Sequence, residues 1–273
     1  MAADTNVVYS NFFLSNEVED QFLTHLNIQS FFKVDRTLEG APGMKRIINV
    51  YKATDGTEKL AVGQGNTKSI SVSYTPKEYE IQLAQNRFVY NDERAMTDPM
   101  LVPTGMKHAG TDMFNTITKD FFAELADAEL THTATGNYFD DIVDAIAKMG
   151  METPEDVSIN VFVSPADMAK IRKNLKDSLQ YVEAYARSGY VGSVAGARVY
   201  ATNAVEAGTF YVATSDAVTM FEKTGISVEQ ITEGKRSEEA ANVRENTIFT
   251  RKYYIVALTD ATKAVKVGSG GPV

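Results

Sequence analysis

The sequence predicts a protein of the α+β class, because segments with strand periodicity and segments with helix periodicity occupy different parts of the chain. Apolar and polar residues alternate over Ser69–Tyr74, Tyr79–Leu83 and Val243–Leu258, as they do in half-buried strands. Residues 99–130 instead carry apolar side chains at every fourth position, which is typical of one face of a helix.

The composition provides for a large apolar core and excludes several kinds of chemistry. The chain has 273 residues, 44% of them hydrophobic, and no cysteine, which rules out disulfides, thiolate nucleophiles and thiolate metal ligands. Its formal net charge is −9 at pH 7, whereas a sequence-independent nucleic-acid binder usually has a basic surface. No apolar run approaches the roughly 20 residues of a membrane-spanning helix, and MAADTNVVYS lacks the features of a secretory signal.

Residues 1–40 are predicted to form an N-terminal arm. Asn16 and Glu19 have the spacing of a capping box and predict a short helix, beyond which the chain is extended. Four phenylalanines give this segment a heavy aromatic load: Phe12, Phe13, Phe31 and Phe32. These rings pack either on the body of the same chain or on a neighbouring one.

Residues 44–85 predict an extended β-hairpin rather than a nucleotide-binding loop. In KLAVGQGNTKSISVSY, Gly63 and Gly65 match the start of a dinucleotide fingerprint, but Lys68 stands at the third glycine position and a strand-like stretch follows it. A P-loop is excluded as well, because the only Gly-Lys pair is followed by Arg236 instead of serine or threonine. We therefore expect these glycines to turn the chain.

The predicted hairpin is too polar to be stable alone. Asp55-Gly56 is a strong turn signal, and many positions on both sides of it are polar on both strand faces. A two-stranded hairpin that buries little of its own surface is marginal in water. We expect another surface to complete its burial.

Two helices and one strand-to-helix junction follow the hairpin. The long helix within residues 99–130 has an apolar stripe formed by Met113, Ile117, Phe121 and Leu125. Residues 138–149 predict a second helix whose inward side chains are Ile142, Val143, Ile146 and Met149. Ser158–Val163 predicts a buried strand that leads into a third helix, with Ser164 as N-cap, Pro165 at N1 and Asp167 at N3.

Short apolar runs separated by glycines make the remainder rich in strands. Ile226–Ile231 and Val243–Leu258 are the clearest of these, and the charged loop TEGKRSEEAANVRE lies between them. The tail GSGGPV is predicted to be flexible.

No group of residues supports a catalytic mechanism, a metal or a cofactor. The three histidines, His25, His108 and His132, lack metal-ligand spacing, and Ser193 in GSVAG departs from the Gly-X-Ser-X-Gly pattern of a nucleophile elbow. Two acidic groups have the oxygen ligands that a hard cation prefers, but a helix-dipole or turn role explains both: Asp140, Asp141 and Asp144, and the turn Asn91-Asp92-Glu93.

Three segments carry a resemblance to a known family. They are VFVSPADMAKIRKNLKD, YVGSVAGARVYATNAVEAGTFYVATSDAVTMF and TRKYYIVALTDATKAVKV. Each is similar to part of the major capsid proteins of tailed bacteriophages, which share the Hong Kong 97-like capsid fold. The similarity extends over residues 10–267 and lies in patterns of glycine and apolar residues.

The resemblance implies a fold with an N-terminal arm, an extended β-hairpin loop, a peripheral domain with a long spine helix, and an axial domain. Its boundaries on this chain are an arm at 1–40, an extended loop at 41–86, a peripheral domain at 87–149 and 226–267, an axial domain at 150–225 and a tail at 268–273.

The implied function is structural: a major capsid protein that assembles into the hexamers and pentamers of an icosahedral head enclosing double-stranded DNA. The implied partners are other copies of the chain, a separate scaffolding protein and a portal, with no membrane and no sequence-specific DNA binding. Assembly would take place in the bacterial cytoplasm. The residues expected at contacts between subunits are Phe12, Phe13, Phe31, Phe32, Lys59, Gly63, Gly65, Lys68 and Arg236.

Two features depart from patterns found in parts of the family. Only about forty residues precede the first strand, which is the reason to expect a separate scaffold. Lys59 and Lys68 lie in the extended loop, where some members join a lysine to a neighbour's asparagine by an isopeptide bond. No catalytic carboxylate can be assigned here, and we expect no crosslink.

Three other functions compete with this interpretation. An encapsulin-type compartment shares the fold and would need an interior groove for a cargo peptide. A small α/β enzyme would use the axial region as its catalytic domain, which the missing catalytic set disfavours. A tail-tube component is disfavoured by the long helix.

Overall fold

The computed structural model describes residues 28–98, 100–151, 157–174, 193–232 and 242–268. The strands are β1 (Lys33–Asp35), β2 (Lys45–Ala53), β3 (Val72–Glu80), β4 (Gln82–Asn91), β5 (Leu130–Thr133), β6 (Ile159–Val163), β7 (Ser193–Val194), β8 (Ala197–Ala201), β9 (Thr209–Thr214), β10 (Val218–Ile231), β11 (Glu245–Leu258) and β12 (Ala264–Gly268). The helices are α1 (Asp92–Thr97), α2 (Leu101–Ala126), α3 (Tyr138–Lys148) and α4 (Pro165–Asn174). Short 3₁₀ turns occupy Ile28–Phe31 and Ala261–Lys263.

A four-stranded sheet and the long helix α2 form one half of the core. The strand order is β1-β10-β11-β4, and β10 and β11 pair antiparallel from Val218↔Leu258 to Ile231↔Thr247. The predicted stripe on α2 is confirmed, because its four members are buried on this sheet: Met113, Ile117, Phe121 and Leu125. Gly105 lets the helix approach β4 closely, since a Cβ there would lie 2.5 Å from the Phe88 ring.

A six-stranded mixed sheet forms the other half, in the order β5-β12-β9-β6-β8-β7. All five residues of β6 are buried, as predicted, because the sheet has a core on each face. Val161 and Val163 lie in a cluster with Ile142 of α3 and Ile171 of α4. Phe162 points to the opposite face, where its ring meets that of Phe121 at 5.6 Å.

The six-stranded sheet includes strands from outside residues 150–225, the range expected for the axial domain. Strands β5 and β12 belong to it, although the sequence placed residues 130–133 and 264–267 in the peripheral domain. Helix α3 also packs on this sheet, with Ile142 and Ala145 beside Val265 and Val267. Alternation along a strand identifies which face is buried but not which sheet receives the strand.

The junction of β6 and α4 forms as its residues predict. The Ser164 hydroxyl accepts a hydrogen bond from the Asp167 backbone N–H at 3.1 Å and donates to the Asp167 carboxylate at 2.8 Å. Pro165 begins the helix. The prediction for α3 was wrong at Val143, whose side chain is exposed, while Ile142 and Met149 are buried as expected.

Candidate interaction surface

The most distinctive surface is a hairpin that projects from the four-stranded sheet. Strands β2 and β3 pair only with each other, from Lys45↔Glu80 to Ala53↔Val72, and form a separate two-stranded sheet. Each has nine residues, so the paired part alone is about 30 Å long at 3.4 Å per residue. The predicted extended hairpin is thus present. We call residues 45–80 the projecting hairpin.

Side-chain and backbone contacts hold the two sides of its loop together. The Thr54 backbone N–H donates to the Ser71 carbonyl at 3.0 Å, and the Thr67 backbone N–H and hydroxyl donate to the Glu58 carboxylate at 2.8 and 2.7 Å. These bonds from Thr67, the one from its side chain above all, lower the pKa of Glu58. The loop is therefore an ordered extension of the ribbon.

The predicted turn at Asp55-Gly56 was wrong in position. Gly56 is buried against the opposite side of the loop, where a Cβ would lie 2.7 Å from the backbone nitrogen of Ile70. Its glycine character serves this close approach, and the chain continues outward past it.

The reversal occurs instead at the GQG stretch. The Gln64 backbone N–H donates to the Ala61 carbonyl at 3.1 Å, and Gly63 has φ +89°, which favours glycine. No helix follows, so the prediction that Gly63 turns the chain is confirmed. Gly65, Lys59 and Lys68 flank this turn and are exposed.

The projecting hairpin exposes large apolar side chains. Six of them are at least 45% exposed: Ile47, Leu60, Val62, Ile70, Val72 and Tyr74. Val62 stands at the turn and is fully exposed. A protein surface with this much apolar area concentrated on one thin projection is typical of an interaction site.

The root of the projecting hairpin, by contrast, is firmly attached. The Tyr79 ring stacks on Phe221 of β10 with centroids 5.1 Å apart, and Ile81 is buried. The Lys223 ammonium donates to the Ala41 carbonyl at 3.0 Å and also to that of Gly43, holding the segment that leads into β2. The hairpin thus projects from a fixed base.

A buried ion-pair group lies beneath this root. Glu222 of β10 accepts hydrogen bonds from Lys252 of β11 and, at 2.8 Å, from Arg36, which follows β1. Burial alone would raise the pKa of Glu222, but the charges of Lys252 and Arg36 and their hydrogen bonds outweigh it and lower the pKa. Both Glu222 and Lys252 are almost fully buried.

The remaining residues singled out in the sequence lie elsewhere. Phe31 and Phe32 pack inside the chain's own core, where Phe31 meets Phe162 at 5.2 Å and Phe32 meets Phe121 at 5.8 Å. This matches the first of the two alternatives for these two rings. The helix predicted at Asn16–Glu19 and the residues Phe12, Phe13, His25 and Arg236 lie outside the described residues.

Two of the candidate polar residues, His132 and Asp141, lie beside each other and have structural partners. His132 lies 3.4 Å from the buried carboxylate of Asp141, which also accepts from the Thr135 hydroxyl at 2.7 Å, and His108 is exposed on α2. Within the described ranges, no three His, Cys, Asp or Glu side chains come together as metal ligands. Among the described helices, none combines the length and the apolar character that crossing a membrane requires.

Comparison with solved structures identifies the class. The capsid of the cyanophage P-SCSP1u superimposes with a TM-score of 0.69 at 14% identity, covering 90% of this chain and 88% of that one. A virus-like particle protein from Pyrococcus furiosus gives a TM-score of 0.66 at 11% identity, covering 95% and 100%. The chain therefore has the Hong Kong 97-like fold.

Its sequence places it more narrowly. Residues 76–267 match the phage capsid protein family, and the chain belongs to that family. It is also similar to the major capsid protein of the Staphylococcus phage phiMR11, with 25% identity over 267 residues that cover 94% of this chain and 92% of the relative.

Proposed function

We propose that this chain is a major capsid protein that assembles into hexamers and pentamers and so forms an icosahedral head around double-stranded DNA. The observation that carries the proposal is the projecting hairpin, which exposes Val62 and the other apolar side chains on a ribbon that the described part of the chain leaves uncovered. A second copy of the chain is the partner that a phage capsid protein meets most often.

The hairpin also fits the geometry that a closed shell demands. Rings arise from heterologous contacts, in which one surface of a subunit meets a different surface of the next. A long projection with a fixed root supplies one such surface at a distance from the body. Contacts of this kind add area across many subunits while each remains modest.

The charge of the chain is compatible with an enclosed genome. A net charge of −9 provides little attraction for DNA phosphates, so that incoming DNA is not held by the wall through counterion release. We propose assembly in the bacterial cytoplasm with a separate scaffolding protein and a portal, and a final location in the virion.

A non-viral compartment is the second candidate. The similarity to the Pyrococcus furiosus virus-like particle favours it, at a TM-score of 0.66. Portal and terminase genes beside the coding sequence support the phage head, and a ferritin-like or peroxidase cargo gene supports the compartment.

Replacing residues 55–70 with a single Asn-Gly turn is expected to abolish assembly and leave the body folded. None of the three buried hydrophobic clusters contains a residue of this segment, so its removal takes away only the end of the projecting hairpin. Negative-stain electron microscopy and sedimentation velocity would compare the intact and shortened chains, each alone and with the products of neighbouring genes.

Thermal unfolding by circular dichroism is the control for this deletion. An unchanged midpoint with loss of rings or shells supports the proposal. Shells of normal size and yield from the shortened chain contradict the role of the projecting hairpin, and an intact chain that stays monomeric with every neighbouring product contradicts the proposal as a whole.

A further inference from the structure

A groove of about 360 Å³ lies between α2 and the ends of β4 and β11. Leu83 and Ala84 of β4, Ala123 of α2 and Val256 of β11 contribute apolar walls. Leu83 is 45% exposed, so part of this apolar surface is open to water. The volume is at the lower end of the range for ligand pockets, which suits a few side chains of a partner. We call this the α2 groove.

The α2 groove is electronegative. Asp120 and Glu124, four residues apart on α2, both line it. Asp120 accepts a hydrogen bond from the Tyr254 hydroxyl at 2.7 Å, and Glu124 accepts one from the Leu258 backbone N–H at 2.9 Å. Both donors are neutral, so neither hydrogen bond cancels the charge of a carboxylate. No lysine or arginine is among the described residues that line the groove.

The charges of these carboxylates reach the neighbouring tyrosines. Burial, and then the hydrogen bond to Asp120 and its charge, raise the pKa of Tyr254 far above its usual range. Burial and the charge of Glu124 likewise raise the pKa of Tyr79. A carboxylate next to a phenol disfavours a second negative charge, and the same field favours a cation.

The lining distinguishes between kinds of cation. A metal ion makes no use of apolar walls, and within the described ranges no three His, Cys, Asp or Glu side chains come together as its ligands. A lysine or arginine side chain uses both features, because its methylene stem packs on apolar surface while its charged end reaches a carboxylate. Asp120 and Glu124 lie one helical turn apart, so they match two such side chains at positions i and i+4 of a partner helix.

The two terminal segments of the chain lack this chemistry. Residues 1–27 contain four acidic side chains and no lysine or arginine, and residues 269–273 contain no charged side chain. An acidic segment would be repelled by the two carboxylates of the groove. These segments are therefore poor occupants, and a basic segment of another protein is a better one.

We propose that the α2 groove binds a basic amphipathic segment of a second protein, with apolar side chains of that segment on the groove walls and two of its lysines or arginines at Asp120 and Glu124. The inference rests on the proposed function, which includes a separate scaffolding protein as a partner, and the segment belongs to that partner. Such a contact forms quickly and stays reversible, because complementary charges raise the rate of association while a small buried area keeps the affinity modest.

Binding of two synthetic helices to the full chain tests the site. The lysine probe is the fluorescein-labelled peptide ALKALAKALLKALAKA, whose lysines recur at every fourth position beside a row of leucines, and the neutral probe has glutamine in place of each lysine. The groove variant, Asp120→Asn with Glu124→Gln, removes both charges and leaves an acceptor oxygen at each position. The control variant, Asp112→Asn with Glu129→Gln, removes the same charge at two exposed positions outside the groove.

Fluorescence anisotropy is expected to show that the intact chain and the control variant bind the lysine probe alike, whereas the groove variant binds it at least about tenfold more weakly, because two ion pairs are lost. The neutral probe is expected to bind all three chains weakly and equally. Equal affinity of the two variants for the lysine probe would attribute binding to the general acidity of the chain and overturn the site.

Alkylation locates the contact without any change of charge in the groove, because the natural sequence contains no cysteine. Ala123→Cys places a thiol on the groove wall, and His108→Cys places one at an exposed position of the same helix, about 22 Å away at 1.5 Å per residue. The lysine probe is expected to slow the reaction of iodoacetamide at position 123 several-fold and to leave position 108 unchanged. Equal slowing at both positions, or none at position 123, overturns the docking site.

The products of the neighbouring genes test the partner. Each product is mixed with the intact chain, the groove variant and the control variant, at low and at high salt. One product is expected to bind the intact chain and the control variant, and to lose this binding with the groove variant and at high salt, since salt screens exposed charges. A product that promotes shell assembly and binds all three chains equally overturns the proposed partner.

The same alkylation distinguishes a second protein from another copy of the chain. Slower reaction at position 123 in shells formed by the chain alone would show that a second copy fills the groove, which overturns the proposal. Shells that form normally leave the proposed function intact in either case. Failure of the intact chain to form any shell with every neighbouring product contradicts the proposed function itself.

Discussion

Replacing Asp167 with alanine is expected to lower the free energy of unfolding by about 3 kcal/mol, because it removes a buried carboxylate that accepts hydrogen bonds from four donors. The fully buried carboxylate accepts hydrogen bonds from the Tyr138 hydroxyl at 2.8 Å, the Lys170 ammonium at 2.9 Å and the Gly208 backbone N–H at 2.7 Å. It also accepts one from Ser164. One side chain thereby joins α3, α4 and the segment before β9.

Urea unfolding of the intact and variant chains would measure this loss. Asp112→Ala is the matched control, because Asp112 is an exposed aspartate on α2 and its removal is expected to change stability by less than about 0.5 kcal/mol. A difference of less than about 1 kcal/mol between the two variants would contradict the assigned role of Asp167.

The same carboxylate makes stability depend on acid in a defined range. Burial alone would raise its pKa, but the hydrogen bonds from Gly208, Lys170, Tyr138 and Ser164 outweigh burial and lower the pKa from 3.8 to about 2. A carboxyl group whose pKa is lower in the folded than in the unfolded state stabilises the fold at pH values above its unfolded pKa. The contribution here is roughly 2 kcal/mol. That contribution is lost as pH falls from about 4 through 2. The difference in free energy of unfolding between the intact chain and Asp167→Ala should therefore shrink as the pH falls through this range. A difference that stays constant would contradict the assigned role of the Asp167 carboxylate.

Replacing Glu222 with alanine is expected to destabilise the fold by about 3–5 kcal/mol, because Lys252 then keeps a buried charge without a partner. Lys252 is 5% exposed and Glu222 3% exposed, so both groups are largely shielded from water. Arg36 loses its ion pair with Glu222 in the same variant, which loosens the segment before the projecting hairpin. Urea unfolding measures the first effect, and hydrogen exchange in residues 33–44 measures the second.

The double variant Glu222→Leu, Lys252→Met separates the charge from the volume. Removing both members and filling the site with apolar groups of similar size is expected to recover most of the lost stability. A double variant as unstable as Glu222→Ala would show that packing, and not the unpaired lysine, causes the loss.

Much of the fold was accessible from local patterns. The four-residue repeat identified the buried face of α2, and Ser164 with Asp167 marked the start of α4, because each depends only on residues within a few turns. The sheet to which β5 and β12 belong could not be predicted from the sequence, because Val265 and Val267 would show the same alternation in either sheet. Pairing partners more than a hundred residues apart leave no local trace.

The candidate site was accessible only in part. Polar residues on both faces indicated a hairpin that needs another surface, and Gly63 indicated its turn. Gly56 was misread because a close approach to Ile70 and a tight turn both favour glycine. The groove between α2, β4 and β11 could not be predicted from the sequence. Its lining residues Ala84, Glu124 and Tyr254 belong to three separate elements and come together only after these elements have packed.

The position of β12 also bears on the order in which the protein is made. This strand, at 264–268, lies between β5 and β9, so residues 130–133 have their strand partner only once residue 268 has left the ribosome. Synthesis proceeds from the N-terminus at a finite rate, and the projecting hairpin emerges almost two hundred residues earlier. A nascent chain therefore exposes its projecting hairpin before the six-stranded sheet can be completed. Several chains translated from one messenger RNA expose their hairpins close to one another before β12 has been synthesised.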